Sequence, residues 1–179
     1  DGTYPTIYLQ NDCLNKTTQN TVCHGLISNS YGSVVMNLNI HLSSKGSAVE
    51  ISEANKLNDA TVNQYFGGVI GQILGGDNVI ENVSVQSDDP FINLTGRYKH
   101  LVPVGGYVGI VQGGTLIFRN IQNPDQQGFA GQVSVDGNSY DAKASDGKSF
   151  YINPYIGRVL DGCAFYEQTG TDGSNYLNN

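Results

Sequence analysis

The chain has no tryptophan, a single methionine and three cysteines, and charged side chains make up only 14% of its 179 residues. Each scarcity excludes something. Cys13, Cys23 and Cys163 form no Cys-x-x-Cys pair and are odd in number, which argues against a zinc ribbon and against a dense disulfide framework. Cys13 and Cys23 either close a short loop in an oxidising compartment or are independent thiols. Cys163, flanked by apolar residues, reads as a small buried hydrophobe. Nine Lys and Arg stand singly against sixteen Asp and Glu, for a net charge of −7. Phosphate neutralisation needs clustered cations, so nucleic acid is not an expected partner. No run approaches the roughly 18 apolar residues of a membrane span, so no span is expected in this segment. Asp1 to Pro5 do not resemble a signal peptide, and the abrupt ends point to a processed product or a piece of a longer polypeptide. Sustained helical periodicity is missing as well. Over Ala48 to Tyr65 alone, Val49, Ile51, Ala54, Leu57 and Ala60 offer a weak amphipathic helix, the alternative being a surface excursion.

What is abundant is glycine, with 23 residues, and tyrosine, with 11, beside many Asn, Gln, Ser and Thr. That mixture suits short strands joined by tight turns, because Gly and Asn tolerate positive φ while Tyr, Val and Ile favour pleated surfaces. The glycines recur in order. Gly67-Gly68-Val69-Ile70-Gly71-Gln72-Ile73-Leu74-Gly75-Gly76 aligns without a gap on the ten residues from Gly105 to Gly114, and on Asn153 to Gly162. The similarity runs on from Asp77–Val85 to Thr115–Ile121, and a shorter copy, Gly25 to Ile40, follows the same plan with about two residues removed from its middle. Residues 1–179 therefore read as one repeat domain of four irregular copies starting near residues 24, 67, 105 and 153.

Each copy reads as strand, turn, strand. Gly71, Gly109 and Gly157 fall inside apolar strands, where glycine costs roughly 0.5 to 1 kcal/mol relative to alanine, so the position calls for close backbone approach or a sharp bend. Asn37, Asn82 and Asn120 occupy equivalent positions, with Gln168 aligned to them in the last copy. They are either left-handed turn residues or a ladder of stacked amides. The expected fold is mainly β, a right-handed parallel β-helix or solenoid with irregular insertions; a propeller-like or sandwich arrangement of antiparallel hairpins is the alternative.

Gly-Gly-Val-Ile-Gly followed by Gly-x-x-Ile-x-Asn-Val resembles the GLUG motif of large bacterial surface and secreted proteins, among them adhesins and the non-catalytic part of some immunoglobulin A peptidases. The match is best over Gly67–Val85 and Gly105–Ile121 and weaker over Gly25–Ile40 and Asn153–Gln168, a little under half the chain. The last copy departs by replacing Gly-Gly with Asn153-Pro154 and the Asn with Gln168, as a terminal coil would. The resemblance implies a cell-surface solenoid and transfers no catalytic residue.

Residues for chemistry are sparse. His24, His41 and His100 are isolated, with no acidic partner at the spacing a zinc peptidase needs. A carbohydrate-active enzyme needs paired carboxylates, for which Asp88, Asp89 and Asp161 are candidates, and the alignment puts Glu81, Arg119 and Glu167 in one row. That row reads equally as an exposed ion-pair stripe. Asp136-Gly137-Asn138 and Asp172-Gly173-Ser174-Asn175 supply oxygens for calcium but match no calcium loop, and ordinary turns explain them. Neither a metal nor a cofactor is expected. Tyr107 and Tyr155, equivalent in the alignment, and Tyr98 offer rings for stacking on sugars or anchoring a protein, unless they are core edges. Ser43–Asn63, Ser87–Leu101 and Asn123–Lys148 are insertions on which a binding surface can grow. Asn15, Asn82 and Asn93 head Asn-x-Ser/Thr sequons, Asn82 within the expected coil. The functional expectation is an extracellular or cell-surface structural or adhesive module, its partner a glycan or a host or cell-surface protein. The alternatives are a carbohydrate-active β-helix enzyme and a self-associating fibre or surface-layer subunit.

Overall fold

The computed structural model describes residues 3–10, 21–43, 49–52, 63–87, 92–95, 102–121, 133–135, 138–140, 150–153, 155–160 and 162–168. All regular structure among them is strand. β1 (Thr6–Gln10) precedes the first copy, which supplies β2 (Thr21–His24), β3 (Ile27–Ser30) and β4 (Val34–Ser43) and is followed by β5 (Val49–Ser52). The second copy repeats that order with β6 (Asn63–Gly67), β7 (Ile70–Ile73), β8 (Asp77–Ser87) and β9 (Ile92–Thr95). The third supplies β10 (Val102–Gly105), β11 (Val108–Val111) and β12 (Thr115–Arg119), then β13 (Val133–Val135) and β14 (Asn138–Tyr140). The last supplies β15 (Phe150–Asn153), β16 (Ile156–Val159) and β17 (Ala164–Gln168).

Like strands of successive copies lie side by side, in the orders β2-β6-β10-β15, β3-β7-β11-β16 and β1-β4-β8-β12-β17, with a further sheet β5-β9-β13-β14. The pairings between copies are parallel, and the β13–β14 hairpin alone is antiparallel among the described strands. The arrangement is compatible with a β-helix, and it replaces the propeller-like and sandwich alternatives, both of which need antiparallel neighbours. The fourth sheet falls within the insertions. β5, β9 and β13 each sit within one of them, and Val49 and Ile51 pair in register with Ile92 and Leu94. Of the helix offered over Ala48 to Tyr65, Val49–Ser52 and the residues from Asn63 are strand, and Ala54, Leu57 and Ala60 lie outside the described residues.

Register follows the sequence similarity closely. Gly67 pairs with Gly105 and Asp77 with Thr115, while Gly105 pairs with Asn153. In the first copy, Ser30 and Val34, four residues apart, pair with Ile73 and Val79, six apart, so the two missing residues belong to that corner. The last copy departs from the ungapped alignment. Val111 pairs with Val159, yet Thr115 pairs with Ala164 rather than Cys163, because the corner is one residue longer and is closed by the Cys163 N–H donating to Leu160 O at 3.2 Å.

A bend divides the long strands. Asn37 and Asn82 hold φ of 56° and 52° inside β4 and β8, and Asn120 holds 47° just beyond β12. Their strands therefore turn at the same level, and residues on both halves point into one core of Val35, Ile40, Ile80, Val85 and Phe118 with Phe66, Ile70 and Tyr107. Corners are hydrogen-bonded from copy to copy as well as the strands: the N–H groups of Gly68 and Val69 donate to Gly106 O and Tyr107 O, both at 2.9 Å, and that of Gln112 donates to Ile73 O at 2.8 Å. Backbone groups that a turn would otherwise leave unpaired are thereby satisfied.

Between β6–β10 and β7–β11 the two sheets close on each other on the side away from that core. A Cβ on Gly109 would stand 2.5 Å from Gly71 O and 2.8 Å from Phe66 O, and one on Gly157 would stand 2.6 Å from Gly109 O and from Val104 N. No side chain fits there, which is the close approach anticipated for these strand glycines.

Candidate functional site

Side chains gather in an asparagine column, a seam between the closing sheets, a tyrosine column and a row with one ion pair. In the asparagine column, Asn82 Nδ2 donates to Asn37 Oδ1 at 2.8 Å, and Asn120 Nδ2 donates to Asn82 Oδ1 at 2.7 Å. Left-handed turn and amide ladder coexist: the positive φ that Asn tolerates aims each side chain at its counterpart in the neighbouring copy. Gln168 does not continue the column. It pairs with Arg119, one position before Asn120, because of the longer corner in the last copy. The ladder also engages the Asn82 sequon, whose amide nitrogen is the donor to Asn37. Asn93 lies on β9, and Asn15 lies outside the described residues.

Along the seam, Cys23 lies opposite Tyr65 on one sheet, and Asn29, Gln72, Ile110 and Arg158 line up on the other. Tyr65 and Ile110 are buried yet stand apart from the main core cluster, as expected of a second, smaller contact between sheets. A chain of polar contacts crosses it. Cys23 Sγ donates to Gln72 Oε1 at 3.1 Å, Gln72 Nε2 donates to Gln112 Oε1, and Gln112 Nε2 donates to Tyr65 Oη at 3.0 Å. Burial pushes the Cys23 thiol from its ordinary value near 9.0 to about 11, so at neutral pH it is a protonated donor rather than a nucleophile. Burial also raises the Tyr65 phenol, with the hydrogen bond from Gln112 acting the other way. Neither Cys23 nor Tyr65 is activated in this seam. Cys13 lies outside the described residues, and Cys163 is half-buried against the core rather than enclosed by it.

The tyrosine expectation requires correction. Tyr107 and Tyr155 share a column as aligned, but both are buried, their rings stacked 6.1 Å apart at 12° inside the core. Tyr107 Oη donates to Val83 O at 2.9 Å, and its ring also meets Phe118 at 5.6 Å. These rings face no solvent, because the corner that carries them folds inward between the glycine pairs and the bent sheet. Tyr98 lies outside the described residues. The exposed rings described here are Tyr4, Tyr8 and Tyr31, and that of Tyr8 lies 5.2 Å from the His41 ring, across β1 and β4.

The acidic row is also revised. Glu81 pairs with Arg119, at 3.3 Å between Oε2 and Nη1, but Arg119 pairs in turn with Gln168, and Glu167 falls opposite Phe118. The one-residue shift takes Glu167 out of the row, leaving a half-exposed ion pair of the kind worth little in water. Asp88, Asp89, Asp161 and both candidate calcium turns, apart from Asn138, lie outside the described residues. Among the described residues no three His, Cys, Asp or Glu gather as metal ligands do, and no helix is long and apolar enough to cross a membrane. One structural residue was not anticipated. Asn78, fully buried, donates to the carbonyls of Gly75, Gly76 and Thr115, each at 3.1 Å, and accepts from Ser30 Oγ at 2.5 Å. Its signal was an amide in a column where the next copy has Leu116.

Compared with known proteins, the chain matches no family model, no curated protein and no solved structure.

Proposed function

We propose that this chain is a right-handed parallel β-solenoid, built from GLUG-like repeats, that serves as a structural or adhesive module of a secreted or cell-surface bacterial protein. Right-handed crossover is the hand that twisted parallel strands favour. The observation that carries the reading is that polar side chains bridge one copy and the next, the asparagines stacking on their own counterparts. The Asn37–Asn82–Asn120 ladder, the Gln72–Gln112 bridge and the Asn78 corner are engaged in joining one copy to the next. Such a molecule is a stiff scaffold, and its partner, a glycan or a cell-surface protein, meets its outer faces or the stretches between copies.

An enzyme of the β-helix type needs two carboxylates across a groove. The register takes Glu167 out of the row with Glu81, which is one of the carboxylate groupings that the sequence offers. A glycan array and a cell-binding assay, each followed by analysis of the bound material, test the proposal. Binding without shortened products supports it. Steady release of cleaved saccharide would replace it with the enzyme reading.

A further inference from the structure

On the second half of the bent sheet β1, β4 and β8 lie side by side, and strand alternation sends one set of side chains into the core and the other outward. Ile40, Leu42, Val83 and Val85 are buried in the core, with Leu9 packed against it. The opposite parity forms two columns, Thr6–Asn39–Ser84 and Tyr8–His41–Gln86, both set by the strand register. Neither the asparagine ladder nor the seam uses this face.

The first column is held from within. Ser84 Oγ donates to Asn39 Oδ1 at 2.6 Å and Asn39 Nδ2 donates to Tyr4 O at 2.9 Å, which keeps the stretch before β1 alongside β4. The second column presents a ring. Tyr8 is 65% exposed, and its ring packs against that of His41 at 5.2 Å and 30°, so it is braced while most of it meets water. Thr6, two residues back along β1, and Gln86, two strands across, are exposed and offer a hydroxyl and an amide. Two strand spacings put Gln86 about 10 Å from Tyr8, so a ligand that meets both is extended. Neither column contains a lysine, arginine, aspartate or glutamate, in a chain whose net charge is −7.

We infer that this face binds a neutral polysaccharide, with one hexose ring lying on Tyr8 while Thr6 and Gln86 exchange hydrogen bonds with hydroxyls of the same chain of sugars. The C–H face of a hexose stacks on an amphipathic ring, and its rim of hydroxyls needs uncharged donors and acceptors, which is what surrounds Tyr8. Charge points to the same ligand. An anionic glycan finds no lysine or arginine in these columns and is repelled by the net charge of the chain. A protein partner finds neither an arginine nor a cluster of apolar anchors, the groups that dominate such interfaces. The inference rests on the adhesive reading above and narrows its partner to one class.

The test is affinity electrophoresis of the full chain in gels cast with glucan, mannan or galactan, with polygalacturonate as the anionic control. At least one neutral polymer should retard the chain, and the anionic one should not. Tyr8→Ala is expected to weaken that binding about tenfold or more, Tyr8→Phe to keep most of it because the ring face survives, and Gln86→Ala to weaken it severalfold. Tyr31→Ala removes a ring that is 74% exposed away from these columns and should change nothing. The substituted side chains are exposed, so all four variants should unfold in urea near the midpoint of the parent chain. Retardation by none of the neutral polymers, preference for polygalacturonate, or binding indifferent to Tyr8→Ala overturns the inference. The cell-binding assay separates it from the reading beneath. Cells bound equally by the parent chain and by Tyr8→Ala leave an adhesive module whose site lies elsewhere, a protein-binding one included, and this face fails alone. A chain that binds neither polysaccharide nor cells loses both.

Discussion

Asn82 bears two separable loads, a backbone at φ 52° and an amide that donates to Asn37 while accepting from Asn120. Alanine removes both, glycine only the ladder, since glycine adopts positive φ freely. Asn82→Ala is expected to destabilise the chain by about 2 kcal/mol and Asn82→Gly by about 1 kcal/mol, measured by urea unfolding. Equal losses would mean that backbone tolerance contributes nothing, and no loss in Asn82→Gly would mean that the ladder contributes nothing. Cys23 gives a pH signature. Its thiol titrates at about 11 in the folded chain against an ordinary value of 9.0, so the folded state holds the proton more tightly. The associated stability is complete below pH 9 and is lost as pH rises toward 11. Raised by burial, Tyr65 acts in the same direction. Cys23→Ala should flatten the fall in urea midpoint across that window, and native Cys23 should react with iodoacetamide far more slowly than the unfolded chain at pH 8. An unchanged slope and fast alkylation would place the thiol in water.

At the scale of the element, the strand glycines and the inward corner define each copy. Gly109→Ala drives a methyl against Gly71 O and Phe66 O, backbone atoms that cannot rotate away, so a loss of about 3 kcal/mol is expected on thermal or urea unfolding. Tyr107→Phe leaves the buried Val83 carbonyl without its hydroxyl partner and should cost about 1 to 2 kcal/mol. It should leave any glycan or protein binding unchanged, because the ring is enclosed. The repeat alignment made the strand–corner–strand unit legible, including the two-residue deletion near Ser30, because like residues pair with like. It misled where geometry departs from identity. A single extra residue in the corner before Ala164 moved Gln168 and Glu167 out of their aligned rows, and no local signal marks it in a segment that otherwise aligns without a gap. The fourth sheet was hidden for another reason. Val49–Ser52 and Ile92–Thr95 are too short and too different to register as repeats, although both alternate as strands do. Tyr107 and Tyr155 were found as a column, but whether a corner points inward depends on both sheets that flank it, which one strand's pattern does not carry.

For the whole molecule, the central claim is that one copy lies on the next in parallel register, with the scaffold arising from that repetition. On the proposed reading functional surface belongs to outer faces, and the buried tyrosine column is no adhesive handle. The most direct measurement is disulfide trapping across the middle of the stack, in a background with Cys13, Cys23 and Cys163 replaced by serine. Glu81 and Arg119 are register partners with their side chains already in contact on an accessible surface. Adjacent strands about 4.8 Å apart place such Cα atoms within disulfide reach. Glu81→Cys with Arg119→Cys should oxidise nearly completely in the folded monomer and raise the urea midpoint. Glu81→Cys with Phe118→Cys, one position out of register, should not. Equal trapping of both pairs, or trapping of neither, would contradict the parallel stack.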